Sequence, residues 1–384
     1  MSKRFRRISA AVVAVVCMGG AVAVARTVSG EERQRDAPSF SIVAGGDILI
    51  HPELTAQAQK DAKAEGKPDM DFDPLMAGVA PVIKQADLAI CHFETVTAPG
   101  PKGPFLGYRK FAVPPQITTT LKHIGYDTCS TASNHTLDHG PEGIKRTLDA
   151  LDAAGVRHTG SARSAEEAKK INIMTVRGVK VAHLSYAYGF NDTTLPKDKP
   201  WLVNQIDEKR IEADAHRARR LGADVVITSL HWGREQHNEP TRMQLDLARK
   251  LSRDKDISLI LGHHAHVVQP FEKINGTWVA YGLGNAVAKH DKPIGTTEEG
   301  VLAWFRFARI NGKWQVKQAD FIPTFVDLSK DIRVYDVASA LKDPSLPKNK
   351  RARFRLAFHR TEGIVLNRGG NSDGLKPLQG IGNG

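Results

Sequence analysis

"ILGHHAHVVQP", residues 260–270, sets three histidines within four positions directly behind an apolar run. A short apolar run reads as a buried strand. In open α/β sheets the carboxyl end of such a strand is where ligands bind. Packing alone seldom calls for imidazoles so close together, so the other strands must be asked whether they end alike.

Four of them do. "FSIVAGGDILI" (40–50) carries Asp47 after a glycine pair, and "DLAICHFE" (87–94) closes on His92 and Glu94. "YDTCSTASNH" (126–135) closes on Asn134 and His135, and "ADVVITSLHWG" (223–233) on His231. Helical periodicity falls between these strands, at 74–85, 117–123, 140–155, 205–220 and 241–253, and "VKVAHLSYAYG" (179–189) reads as a further strand. Beyond residue 267 the pattern turns antiparallel, with Asn-Gly pairs at 275–276 and 311–312 marking tight hairpins. This is an α/β chain with a hairpin-rich second half.

Each strand-end residue has an ordinary reading when taken alone. Asp47 can be a turn residue or helix cap, Asn134 can cap the next helix, and His231 can be a core histidine with a satisfied ring. Five such endings in one chain are better explained by one shared object. Carboxylates, an amide and imidazoles without a thiolate suit divalent Mn, Zn or Fe, and exclude a cysteine-type structural zinc site. In an extended segment His264 and His266 would face one side and His263 the other.

The formal charge is +12, which reads either as a sign of anionic company, such as a polymer or lipid headgroups, or as a solvated surface biased toward Lys and Arg. Part of the excess lies in Lys348, Lys350, Arg351, Arg353 and Arg355. Nucleic acid is not expected, because no basic stretch interleaved with aromatics appears. The N-terminus argues the same way. Basic "MSKRFRR", the apolar run 8–25 and Ala23-Val24-Ala25 read as an export signal cleaved near Arg26, or as a membrane anchor if uncleaved. Residues 26–39 form a charged linker. Cys91 and Cys129 are compatible with one disulfide or with two buried thiols. The stretch from Asn367 onward, rich in Gly and Asn, is expected to be a disordered tail.

Taken in order, "GGDILI", "CHFETVTAP", "TASNHTLDHGPEGIKRTLDALDAAGVRHTG", "SLHWGREQHNEPTRMQLDLARKL" and "ILGHHAHVVQPFEKINGTWVAYGLGN" resemble the CapA family. These are poly-γ-glutamate capsule synthesis proteins related to calcineurin-like metallophosphatases. The resemblance covers 40–326 and leaves 327–384 as a basic C-terminal extension. It implies a four-layer α/β/β/α sandwich and a site for two divalent metal ions. By the same resemblance, Asp47 and His266 belong to one ion, Asn134, His231 and His264 to the other, and Glu94 stands between them. His135 takes the place of the general acid. The implied chemistry is hydrolysis of a phosphoester; the alternative is a non-catalytic envelope protein that binds or escorts an anionic polymer. Two positions depart from the pattern. Leu49 stands where a metal-binding histidine is usual, and His92-Phe93-Glu94 replaces Asn-Leu-Glu, so His92 is a candidate for the missing imidazole. His263 is expected to support the site from behind.

Overall fold

Along β1 (Ser39–Ile48) successive side chains serve two different cores: Ile42 and Ala44 pack into one, and Val43 into the other. The same alternation recurs in β2 (Leu88–Phe93), where Leu88 and Ile90 face one way and Ala89 and Cys91 the other. A strand buried on both faces belongs to the interior of a layered α/β fold, and period-two alternation divides its residues between the layers. The computed structural model describes residues 38–290 and 292–378. The proposed export signal or anchor, and all but two residues of the proposed linker, lie outside them. No helix among the described residues is long and apolar enough to cross a membrane.

β1 and β2 continue in parallel into β3 (Thr128–Ser130) and β4 (Arg157–Thr159). A second sheet is built from β5 (Asn172–Val176), β6 (Val179–Ala187), β7 (Val225–His231), β8 (Leu259–His263), β9 (Phe271–Ile274) and β10 (Thr277–Ala280). Its order is β5-β6-β7-β8-β10-β9, with β6, β7, β8 and β10 parallel. The chain then returns to the first sheet. β11 (Asn285–Val287) pairs with β1, while β12 (Glu299–Ile310), β13 (Lys313–Asp327) and β14 (Arg333–Asp336) extend it antiparallel. Both Asn-Gly pairs make the expected hairpins, with positive φ at Asn275, Gly276, Asn311 and Gly312.

Helices Pro52–Ala64, Gln116–His123 and Gly140–Ala154 cover the outer face of the first sheet, burying Leu54, Leu121 and Leu148. Ile144, Leu148 and Leu151 fall on one stripe, and Gly155 ends that helix in the left-handed conformation. On the second sheet, helices Glu208–Arg220 and Arg242–Leu251 bury Ile211 and Leu247 against Ala182, Val226 and Ile260. Asp207 caps the first of these, and Thr241 with Gln244 forms a capping box on the second. The third core lies between the sheets and holds Ile42, Ile90, Val181, Ile227, Leu261 and Phe305. Three cores separate four layers, α/β/β/α, as the resemblance implied.

Two local expectations fail. The stretch from Asn367 does not form a disordered tail as far as residue 378. Gly370–Asp373 is a 3-10 turn and Lys376–Pro377 adds a strand to β13, with Leu375 buried between the sheets. One apolar side chain and a ladder of backbone bonds, including Leu378 N–H to the Phe321 carbonyl at 2.8 Å, outweigh the polar composition. Nor is the helical pattern at 74–85 one helix. It breaks into Asp73–Met76 and Ala80–Gln85 at Gly78, where an added Cβ would lie 2.3 Å from the Val334 carbonyl oxygen.

Candidate metal centre

The polar residues singled out above meet at one edge, because parallel strands of both sheets point their carboxyl ends there. Within the inter-sheet layer each strand changes chemistry along one face. Leu88 and Ile90 lead to His92, Val225 and Ile227 to His231, Leu259 and Leu261 to His263. Two glycines allow the close approach this requires. A Cβ on Gly46 would lie 2.0 Å from the Gly284 carbonyl oxygen, and one on Gly262 would lie 1.9 Å from that of Tyr281.

Asp47 is fully buried; one carboxylate oxygen accepts the His264 backbone N–H at 3.1 Å and stands 3.2 Å from His266 Nδ1. Its other oxygen is 3.4 Å from His263 Nδ1. Glu94, also fully buried, has His266 Nε2 3.6 Å from one oxygen, and neither of its oxygens has a hydrogen-bond partner among the described residues. His231 Nε2 and Asn134 Oδ1 lie 3.0 Å apart. An imidazole nitrogen and an amide oxygen this close could hold one divalent cation together. Ligand atoms of Glu94, His264 and His266 converge, as do those of Asp47, His92 and Glu94. Every sequence-nominated residue therefore borders a single site. The donor set and the unsatisfied oxygens of Glu94 fit divalent cations.

Electrostatics point the same way. Burial pushes the Glu94 carboxyl well up, with the neighbouring Asp47 charge adding to the effect. Burial opposes ionisation of Asp47 too, but the His263 and His266 rings beside it hold it well below the usual range. His266 resists its own burial because Glu94 and Asp47 attract its proton, and it sits at about 10. Two carboxylates compete here for one buried imidazolium, a deficit of positive charge that cations would fill. Burial holds His264 down to about 3 and His231 well below its ordinary value, so both keep lone pairs at neutral pH.

His135 sits beside this cluster. Its Nδ1–H donates to Asp138 Oδ2 at 2.8 Å, and that carboxylate also accepts the Phe111 backbone N–H at 2.8 Å. The pair leaves Nε2 facing Asn191 Nδ2 at 3.3 Å. A cleft of about 600 Å³ lined by Tyr188, Arg234, Glu235 and His264 opens on the site.

The histidine run departs from its expected geometry. It is not extended: His264 and His266 have φ of 88° and 55°, so a left-handed turn rather than strand alternation aims their rings. His263, expected on the opposite side, belongs to the inner face as well, stacked 4.2 Å from His92 and touching Asp47. Residues not anticipated include Asn285, whose carbonyl oxygen accepts from His266 Nδ1 at 3.0 Å, and Asp138 and Asn191 around His135. Asp138 had a signal, three positions after His135 on the same turn. Asn285 follows Gly282-Leu283-Gly284 and opens β11. Asn191 lies in a loop without such a signal.

Several basic side chains of the C-terminal extension are engaged within the fold. They ride on helix Lys348–Leu366, where Lys350 pairs with Asp327 at 2.5 Å, and Arg353 and Arg360 both pair with buried Glu299. Cys91 and Cys129, aligned in adjacent strands, are joined by a disulfide.

Among curated proteins the chain is similar to the PGA biosynthesis protein CapA of Bacillus subtilis, with 32% identity over 215 residues, 52% of each chain. It is also similar to the capsule biosynthesis protein CapA of Bacillus anthracis, with 27% identity over 221 residues, 56% of this chain and 54% of that one. The chain thus spans about half the length of these relatives. Similar solved structures include a novel phosphatase from Mycoplasma pneumoniae (15% identity, 75% of this chain, 94% of that chain, TM-score 0.45). Another is the calcineurin-like phosphoesterase YfkN from Bacillus subtilis (15% identity, 85% and 98%, TM-score 0.41). The family described as bacterial capsule synthesis protein PGA_cap matches residues 41–290, and the chain belongs to that family.

Proposed function

We propose that the protein is an exported, metal-dependent phosphoester hydrolase that serves the making or export of an anionic envelope polymer such as poly-γ-glutamate. One observation carries the proposal: both buried oxygens of Glu94 lack a hydrogen-bond partner among the described residues, beside His264, His266 and Asp47. Unsatisfied buried carboxylate oxygens are costly, and natural proteins retain them where a ligand completes the site. Asp47 and His266 would hold one divalent cation, Asn134, His231 and His264 a second, with Glu94 shared. Bound cations of this kind acidify water and offset charge developing on a phosphoryl group.

The chain's own residues supply the rest. Asp138 fixes the His135 tautomer, so that Nε2 is the nitrogen offered to a leaving oxygen, and a protonated His135 would donate there. Asn285 fixes His266 in the same way, through Nδ1. The flanking cleft has room for a substituted phosphoryl group, with Arg234 in its lining. Export is supported by the N-terminal pattern and by the Cys91–Cys129 disulfide, since disulfides persist in oxidising compartments. The capsule and PGA biosynthesis roles in the relatives' names support an envelope polymer.

The test is hydrolysis of bis-p-nitrophenyl phosphate by purified protein before chelation, after chelation, and after readdition of Mn(II). Activity lost and restored supports the reading. Normal metal uptake without hydrolysis would transfer the site to the polymer-binding role, which the net charge favours.

A further inference from the structure

A buried chain of polar groups runs behind the centre. His231 Nδ1 lies 2.9 Å from His92 Nε2, His92 Nδ1 lies 2.8 Å from Ser130 Oγ, and Ser130 Oγ donates to the Cys91 carbonyl at 3.3 Å. All four residues are shielded from solvent, with relative exposures of 1% or less. In the register of β2 and β3, His92 is paired with Ser130, one position after the disulfide-linked pair Cys91 and Cys129. The disulfide therefore holds both relay residues at fixed spacing. His263 closes the arrangement by stacking on the His92 ring at 4.2 Å.

We infer that His92 is a positioning residue, which sets the tautomer and ring orientation of His231 through a one-way relay ending on Ser130. A cation at His231 Nε2 needs that nitrogen without a proton, so Nδ1 carries the proton and donates to His92 Nε2. His92 must then be protonated on Nδ1 and donate to Ser130 Oγ, whose hydroxyl donates to the Cys91 carbonyl. Each atom of the relay from His231 to Cys91 has one role, and no donor within it is left over. The same assignment answers whether His92 replaces the imidazole missing at Leu49. Both of its nitrogens are already committed, so His92 supports the cation at His231 and is not itself a ligand.

This inference rests on the metal-centre reading, but its test does not use turnover. Metal-free wild type, His92→Leu, His92→Gln and Ser130→Ala would be titrated with Mn(II), with thermal melts confirming that each is folded. His92→Leu is expected to weaken binding of one ion about 10–100-fold while full occupancy returns at high Mn(II). His92→Gln should rescue most of that loss, because its amide can accept from His231 and donate to Ser130. Ser130→Ala should fall between His92→Leu and wild type. A second readout is ¹⁵N NMR of the histidine rings in the Zn(II)-loaded protein, where His92 and His231 should both be protonated on Nδ1. Unchanged Mn(II) affinity in His92→Leu, an ion lost at every concentration, or a Zn(II)-loaded His92 protonated on Nε2 would each overturn the relay. A wild-type chain that takes up neither metal would overturn the metal centre as well. Uptake without hydrolysis would sink only the hydrolase reading.

Discussion

The two ends of the inter-sheet layer are made by the same strands on the same face, yet they have opposite chemistry. At one end Leu88, Ile90, Val225, Ile227, Leu259 and Leu261 pack into an apolar core. Farther along the same face, two residues on in β2 and β8 and four in β7, His92, His263 and His231 are equally buried but face carboxylates and one another. Depth is therefore not what separates stability from function here; position along the strand is. The apolar end stabilises the fold by removing surface from water. The polar end costs desolvation of Asp47 and Glu94, which the rest of the structure must support.

The comparison can be broken most forcefully at His135, which borders the polar end without belonging to the donor set. His135→Ala is expected to lower phosphodiester turnover by about 10²–10⁴-fold while leaving Mn(II) uptake intact. Equal loss of metal and activity would make His135 part of the cation site. At the apolar end the order of effects should reverse. Ile227→Ala, four residues before His231, should cost about 2–5 kcal/mol of stability in denaturant unfolding and leave Mn(II) affinity near wild type. If it weakens metal binding as much as His92→Leu does, the two ends are not separable.

The disulfide lies on the opposite face of β2, between Ile90 and His92 along the strand. Its loop spans 38 residues, so replacing Cys91 and Cys129 with Ser should cost about 2–4 kcal/mol, read as a lower melting temperature. An unchanged melt would show that the strand pairing alone holds β2 beside β3. Smallest of all should be Thr241→Ala, which removes a capping box on the outer layer. A loss of about 1 kcal/mol is expected, with both metal uptake and turnover unaffected.

Much of this division was legible in the sequence, because a strand announces its carboxyl end when an apolar run stops at a carboxylate, amide or imidazole. Asp47, Glu94, Asn134, His231 and the 263–266 run were found in that way. The Asn-Gly hairpins were equally plain, since each pair needs two positive φ angles. What escaped was anything fixed by partners distant in sequence. The relay from His92 to Ser130 needs β2 and β3 in register, and His264 and His266 need the left-handed turn that brings them to the side His263 already faces. Helix Pro52–Ala64 gives only a weak signal, since Leu54 is followed at four-residue spacing by the small side chains of Ala58 and Ala62. The order of 367–378 depends on β13 as a template, and composition carries no record of a template.

The most direct test of the account is Mn(II) binding to metal-free wild type and to Glu94→Gln. Glu94 is the one carboxylate shared by both groups of converging donors, and Gln keeps its size while removing its charge. Wild type should bind two ions saturably, and Glu94→Gln should lose most of the affinity for both while keeping its fold. Undiminished binding by Glu94→Gln, or no binding by wild type, would contradict the claim that the polar end of the layer is a metal centre.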